Sequence, residues 1–180
     1  MSKNIVLLSG SPRQEGNTAR LAAAFAGGAE SAGKAVSAFP VAGMKIAGCQ
    51  GCGYCMKDKK GVCIQKDDMA EILEALKKAD ALVIASPIYY FSVTAQLKLA
   101  IDRTYALLRV EKPIRRAAAL ITCGNPSGDV ANGAIEMFAK MCSISKWENA
   151  GVVVAAGLHQ PGEIDGREEL ERAAAIGRDI

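Results

Sequence analysis

The stretch Ile5-Val6-Leu7-Leu8-Ser9-Gly10-Ser11-Pro12-Arg13-Gln14-Glu15-Gly16-Asn17-Thr18 decides the fold. Its opening apolar residues do not alternate with polar ones, the habit of a strand buried on both faces in a parallel sheet. Turn-forming, hydroxyl-bearing and charged residues follow, and Ala19, Leu21 and Ala22 continue a helix that starts at about Thr18. A strand, a glycine-punctuated loop and a helix in this order make one βα unit.

The unit recurs along the chain. Ala81 to Ala85, Ala117 to Ile121 and Val152 to Ala156 are further apolar runs without alternation. Helical spacing lies between and after them, at Leu21, Phe25 and Ala29, at Ile72, Leu73, Leu76 and Ala79, and at Leu97, Ile101, Tyr105 and Leu108. It returns at Ile135, Phe138 and Cys142 and at Leu170, Ala173, Ala174 and Gly177, which predicts five helices. Ala35 to Phe39 is a weaker strand, with Val36 and Phe39 mixed among Ser37 and small residues, as expected of an exposed edge. Five strands alternating with helices predict a doubly wound α/β sandwich with a parallel sheet, and the flavodoxin-like order 2-1-3-4-5 puts the weak second strand at an edge. In that order a ligand binds beyond the carboxyl ends of strands 1 and 3, so the loops at 9–18 and 86–94 are the ones to read.

The first loop favours an anion. Gly10 and Gly16 let the backbone bend close to a ligand, and the helix start offers unpaired N–H groups and a positive dipole end. Ser9, Ser11, Asn17 and Thr18 add side-chain donors, and Arg13 adds a full charge. The loop is not a triphosphate P-loop, because five residues separate the glycines and Asn17 stands where the lysine would be. It is not a dinucleotide G-x-G-x-x-G either. A hydroxyl-rich loop with one arginine suits a compact phosphate monoester such as that of FMN; the alternative is an ordinary βα turn before a capped helix.

Cys49, Cys52, Cys55 and Cys63 form C-x2-C-x2-C-x7-C, threaded with Gly48, Gly51, Gly53 and Gly61. Three thiolates two residues apart, freed by glycines, can wrap the corners of a cubane, and a fourth completes the ligation of a [4Fe–4S] cluster. Zinc ranks lower, since two well-separated C-x-x-C knuckles are lacking. An apo or degenerate site is the other alternative. Cys123 reads as a small residue at a strand end and Cys142 as core.

The whole chain sets bounds. Its 180 residues, half of them hydrophobic, and the absence of a linker or repeat predict one domain over 1–180, with the cysteine-rich segment 48–63 inserted after strand 2. The formal charge of +3 is dispersed, and its one basic cluster, Lys57, Lys59 and Lys60, is broken by Asp58, a poor nucleic-acid footprint. The N-terminal apolar stretch is too short for a signal peptide and no run reaches membrane-spanning length, so a soluble cytoplasmic protein is expected. His159, the sole histidine, has no base partner in the sequence and implies no triad. Asp67 and Asp68 open a helix, where capping and the dipole account for them.

Gly-Ser-Pro-Arg-x-x-Gly-Asn-Thr at 10–18, the cysteine segment at 49–63, Asp67-Asp68-Met69, Ser86-Pro87-Ile88-Tyr89 and Ile101-Asp102-Arg103 together resemble the flavodoxin-fold NADPH-dependent FMN reductases, and within them the iron-sulfur flavoproteins. The resemblance implies bound FMN, oxidoreductase chemistry and a homodimer or homotetramer whose subunit contacts complete the flavin site. The aromatic loop Pro87, Ile88, Tyr89, Tyr90, Phe91 and Ser92, before a helix capped by Ser92 or Thr94, then offers main-chain groups for the ring's polar edge and aromatic faces for contact. Packing against a partner subunit or the core is its other reading. The loop after strand 4, with Thr122, Gly124 and Asn125, also borders the flavin in that family. An FMN oxidoreductase would take electrons from NAD(P)H or a ferredoxin-type donor and pass them to flavin, a quinone, oxygen or peroxide. A cluster-free NADPH-dependent FMN or quinone reductase and a non-enzymatic flavodoxin-type carrier are the alternatives.

Overall fold

The structure is a computed structural model that describes residues 3–57, 60–111 and 114–180. Of the basic cluster, positions 58 and 59 lie outside the described residues. Five parallel strands, β1 (Asn4–Ser9), β2 (Ala35–Phe39), β3 (Ala81–Pro87), β4 (Arg116–Thr122) and β5 (Glu148–Ala155), form one sheet in the order β2-β1-β3-β4-β5. The helices are α1 (Asn17–Ser31), α2 (Met69–Leu76), α3 (Ala95–Arg103), α4 (Asn132–Ser145) and α5 (Glu168–Asp179). The flavodoxin-like fold expected from the sequence is the one observed. None of the described helices is long and apolar enough to cross a membrane.

Alternation does exist in the central strands, but between two apolar faces. Val6 and Leu8 of β1, with Leu82 and Ile84 of β3, pack against α2, α3 and α4 through Ile72, Leu76, Leu97 and Phe138. Ile5 and Leu7, with Val83, Ala118 and Leu120, pack against α1 and α5 through Leu21, Phe25 and Ala173. A residue period of two therefore leaves no polar trace where both faces are covered. At the margin, β2 is largely exposed, as its mixed composition predicted.

Two expectations need correcting. The last strand begins at Glu148, four positions before the apolar run Val152 to Ala156, and ends one residue short of it. Its polar start was illegible in hydropathy because β5 is the other edge: Glu148 and Asn149 are exposed, Arg116 bonds Glu148 at 2.9 Å, and the register slips between Ala117 and Ala118. The helical run through Leu97, Ile101, Tyr105 and Leu108 is also broken. α3 stops at Arg103, and a 3-10 turn at Thr104–Leu107, begun where Thr104 Oγ1 donates to the Ile101 carbonyl at 2.7 Å, turns Tyr105 outward to 50% exposure.

α1 and α5 lie unusually close. A Cβ on Gly28 would stand 2.1 Å from the Ala174 carbonyl oxygen, and one on Gly177 2.2 Å from that of Phe25. Gly28→Ala would gain helix propensity yet must push the helices apart, so stability should fall by about 1–3 kcal/mol, read as a lower urea midpoint. An unchanged or higher midpoint would refute this packing.

Candidate functional site

The reversal of winding between β1 and β3 leaves a crevice beyond their carboxyl ends. Gly10 fastens its two sides. Its N–H donates to the Ala85 carbonyl at 2.8 Å, and its carbonyl accepts from Thr94 Oγ1 at 2.8 Å. Thr94, fully buried, receives the N–H of Leu97 at 3.3 Å and so caps α3, while its own N–H reaches Ser86 Oγ at 3.0 Å. A Cβ at Gly10 would meet Leu97 Cβ and Thr94 Oγ1 at 2.6 Å, so only glycine allows this approach. Of the two expected caps, Thr94 serves; Ser92 instead closes a turn with Tyr89.

Beyond Gly10 the loop curls on itself. The Arg13 N–H donates to Ser11 Oγ at 3.2 Å and the Gly16 N–H to the Arg13 carbonyl at 3.2 Å. Gly16 is extended, and among the described residues no side chain caps α1, so its first N–H groups and the positive end of its dipole are left for a ligand. Thr18, 3% exposed, shares a 2.6 Å hydroxyl-hydroxyl bond with Thr122 at the end of β4. Asn17 is occupied differently from the donor role read in the sequence: its Nδ2 donates to the Gln160 carbonyl at 2.8 Å, and its Oδ1 accepts from the Gly162 N–H at 3.0 Å. It draws the segment after β5 back over the first loop.

A hollow of about 200 Å³ results. Ser11, Arg13, Gly16, Asn17 and Thr18 line it from the first loop, Pro87, Ile88 and Tyr89 from the third, and Thr122 and Gly124 from the fourth. Ser9, Tyr90, Phe91, Ser92 and Asn125 do not line it. The Asn125 Oδ1 is engaged by the Ser127 N–H at 2.9 Å and hydroxyl at 2.7 Å. Tyr90 and Phe91 form the tip of a tight turn, with φ of 48° and 66°, and are 96% and 63% exposed. Two aromatic residues in left-handed backbone cost on the order of 1–3 kcal/mol each, the kind of strain found at functional sites.

Cys123, Leu158 and His159 also line the hollow, and sequence reasoning passed over them. The sole histidine donates its backbone N–H to the Glu163 carboxylate and stands against Gly124, whose missing Cβ would come within 3.0 Å of the imidazole. The Arg13 guanidinium donates to the His159 carbonyl at 3.4 Å. The available signal was topological, since β5 beside β4 places their following loops together. Cys142 is in the core, as expected.

The cysteine segment lies between β2 and α2. Gly51 and Gly53 adopt φ of 64° and 69°, which bends the backbone so that Cys49, Cys52, Cys55 and Cys63 line one hollow of about 450 Å³ with Gln65, Asp102 and Tyr105. Cys49 and Cys52 are exposed, Cys55 and Cys63 half-buried, and burial first, then the neighbouring Cys63, pushes the Cys55 thiol up. No trio of His, Cys, Asp or Glu among the described residues is close enough to hold a single ion. A cubane spaces its ligands wider, so four thiols around a common hollow suit it better than they suit one zinc ion.

Both ends of this segment meet a buried ion pair. Asp67 accepts two bonds from the Arg103 guanidinium, at 2.8 and 2.9 Å, and one from the Ala47 N–H at 2.9 Å. Arg103, 2% exposed, also donates to the Ala47 carbonyl at 2.9 Å. Simple capping was therefore the wrong account of the acidic pair. Asp67 does reach the Met69 N–H at 3.2 Å, but it chiefly binds Arg103, and Asp68 takes the Lys45 N–H at 2.7 Å, with no side-chain bond to its own helix.

The model of the NADPH-dependent FMN reductase family matches residues 3–155. The chain belongs to this family. Membership makes it a flavin-dependent oxidoreductase and bears out the resemblance read from the sequence. An iron-sulfur flavoprotein of Archaeoglobus fulgidus is 34% identical over 173 residues, which cover 95% of this chain and 76% of that relative. The iron-sulfur flavoprotein MJ0731 of Methanocaldococcus jannaschii is 40% identical over 109 residues, 61% of this chain and 54% of its own. The matched segments thus span 54% to 76% of these relatives' own lengths. Among solved structures, the NAD(P)H:quinone oxidoreductase from Methanothermobacter marburgensis superimposes with a TM-score of 0.79 at 21% identity, covering 99% of this chain and 96% of that one. An azoreductase from Bacillus anthracis does so at 0.71 and 19%, covering 99% and 100%. At these identities they share the fold.

Arg103 holds the Asp67 carboxyl below the usual carboxylate range, mainly by hydrogen bonding, against the opposing pull of burial. The stabilisation is complete above the ordinary Asp value of about 3.9 and is lost as pH falls through the depressed folded value. In Asp67→Asn, stability measured by urea unfolding should fall less between about pH 6 and pH 3 than in the wild type. Equal falls would clear Asp67 of that role.

Proposed function

We propose that this family member holds the phosphate of FMN at the start of α1 and carries an iron-sulfur cluster on Cys49, Cys52, Cys55 and Cys63. The observation that carries the flavin reading is the convergence, in one hollow at the switch point, of an uncapped helix start, the Arg13 guanidinium and the Ser11 and Thr18 hydroxyls. For the cluster the support is the four thiols around one hollow, together with relatives named iron-sulfur flavoproteins.

Bound there, FMN exchanges electrons in pairs or singly, and a cluster exchanges them singly, which would join a ferredoxin-type or NAD(P)H donor to a small acceptor such as a quinone, flavin or oxygen. The protein's own groups bind and orient. Arg13 and the first N–H groups of α1 meet an anion with full and partial positive charge. In the Thr18–Thr122 pair one hydroxyl donates to the other, which leaves one hydroxyl proton for a ligand oxygen. Tyr89 and Ile88 offer apolar surface toward a ring. Exposed Tyr90 and Phe91 support a second copy of the chain closing over the site.

Arg13→Ala should weaken FMN binding to the apoprotein by about 1.5–3 kcal/mol, measured by quenching of flavin fluorescence. Unchanged affinity would remove Arg13 from the site. Steady NADPH oxidation with an added quinone or flavin acceptor is expected of the loaded protein; its absence would favour a simple electron carrier.

A further inference from the structure

Arg103 does more than the fold requires of it. It is buried at the end of α3, paired with one carboxylate, and bonded to the Ala47 backbone just before the first cysteine. Its Nε–H is also buried and has no partner among the described residues. An unsatisfied buried donor on a cation is costly, on the order of 1–3 kcal/mol or more, and needs a reason. Cys63 is among the groups whose charge acts on this guanidinium, and Asp102 and Tyr105, the residues around Arg103 on the chain, line the cysteine hollow with Cys63. Asp67 follows Cys63 by four positions, so one ion pair fixes both Ala47 and the chain that carries the fourth cysteine.

We infer that Arg103 is a positioning residue for the cluster: it places Cys63 as the fourth ligand, donates an N–H to its sulfur as a cluster thiolate, and with its charge favours the reduced cluster. The inference rests on the cluster reading. Reduction adds one electron, and so one negative charge, to the cluster and its thiolates, which a fixed cation and an N–H···S bond stabilise more than the oxidised form. Asp67 partly offsets that cation. Arginine suits the place because its rigid planar fork can serve the carboxylate with two N–H groups and keep a further N–H, on a different nitrogen, for sulfur, whereas the three donors of a lysine ammonium share one nitrogen and no fixed plane.

The test is a mediated reductive titration with dithionite, followed by EPR, on anaerobically purified wild type, Arg103→Lys, Arg103→Gln and Asp67→Asn, with iron content and thermal unfolding measured alongside. Arg103→Gln should disfavour the reduced cluster by about tenfold, 59 mV for a one-electron couple, and Asp67→Asn should shift the potential the opposite way. Arg103→Lys should fall between wild type and Arg103→Gln. A purely structural ion pair would lower iron content or melting temperature in both charge-removing variants without opposite shifts in potential. If Arg103→Gln holds no iron, Asp67→Asn and Arg103→Lys decide, and wild-type potentials in both overturn the inference. Wild type without iron overturns the cluster reading itself and the inference with it, whereas wild-type iron with insensitive potentials overturns the inference alone.

Discussion

The contact of Gly10 with Thr94 and Ala85 holds the switch point together. Parallel strands deliver their following loops to the same end of the sheet, but adjacency does not make a site; the loops must be fixed to one another. Here the backbone of the first loop is bonded to β3 on one side and to the cap of α3 on the other, at a spacing that leaves no room for a Cβ. The loop to α1 is therefore launched from a rigid joint, and the unpaired N–H groups of that helix open onto the crevice rather than into solvent. Thr18 with Thr122 and Asn17 with the 160–164 segment extend the same arrangement to the loops after β4 and β5.

A second fastening, Arg103 with Asp67, organises the region between β2 and α2. Removing two charges from water is expensive, and the attraction between them returns that cost only when geometry and further hydrogen bonds are good. The bidentate pair, the two bonds to Ala47 and the bond to Met69 meet most of that demand, leaving the Arg103 Nε–H without a partner among the described residues. A glycine-rich loop with little apolar content cannot fold back by hydrophobic burial alone, so its ends are held by charge, while Cys49 and Cys52 stay exposed and Cys55 and Cys63 pack partly against the core.

Much of this architecture was legible in the sequence. Central strands covered on both faces must be apolar through their middles, and β1, β3 and β4 are, at Ile5 to Leu8, Ala81 to Ala85 and Ala117 to Ile121; the weak pattern of Ala35 to Phe39 marked an edge. What escaped was whatever depends on contacts distant in the chain. The exposed start of β5 has no hydropathic signature because an edge needs none, and α3 ends early on the local bond from Thr104. His159 looked idle because its neighbours, Arg13 and Gly124, lie far away in sequence. For the same reason Asp67 looked like a helix cap: its partner is 36 residues away.

In the proposal made above, one chain combines a phosphate-binding switch point for FMN with a four-thiolate cluster site. Quantifying flavin, iron and acid-labile sulfide in the same anaerobically purified sample tests it most directly. The predicted result is FMN at one per chain together with about four iron and four sulfide. Flavin without iron or sulfide would contradict the cluster, and iron without flavin would contradict the role given to the loop from Ser9 to Thr18.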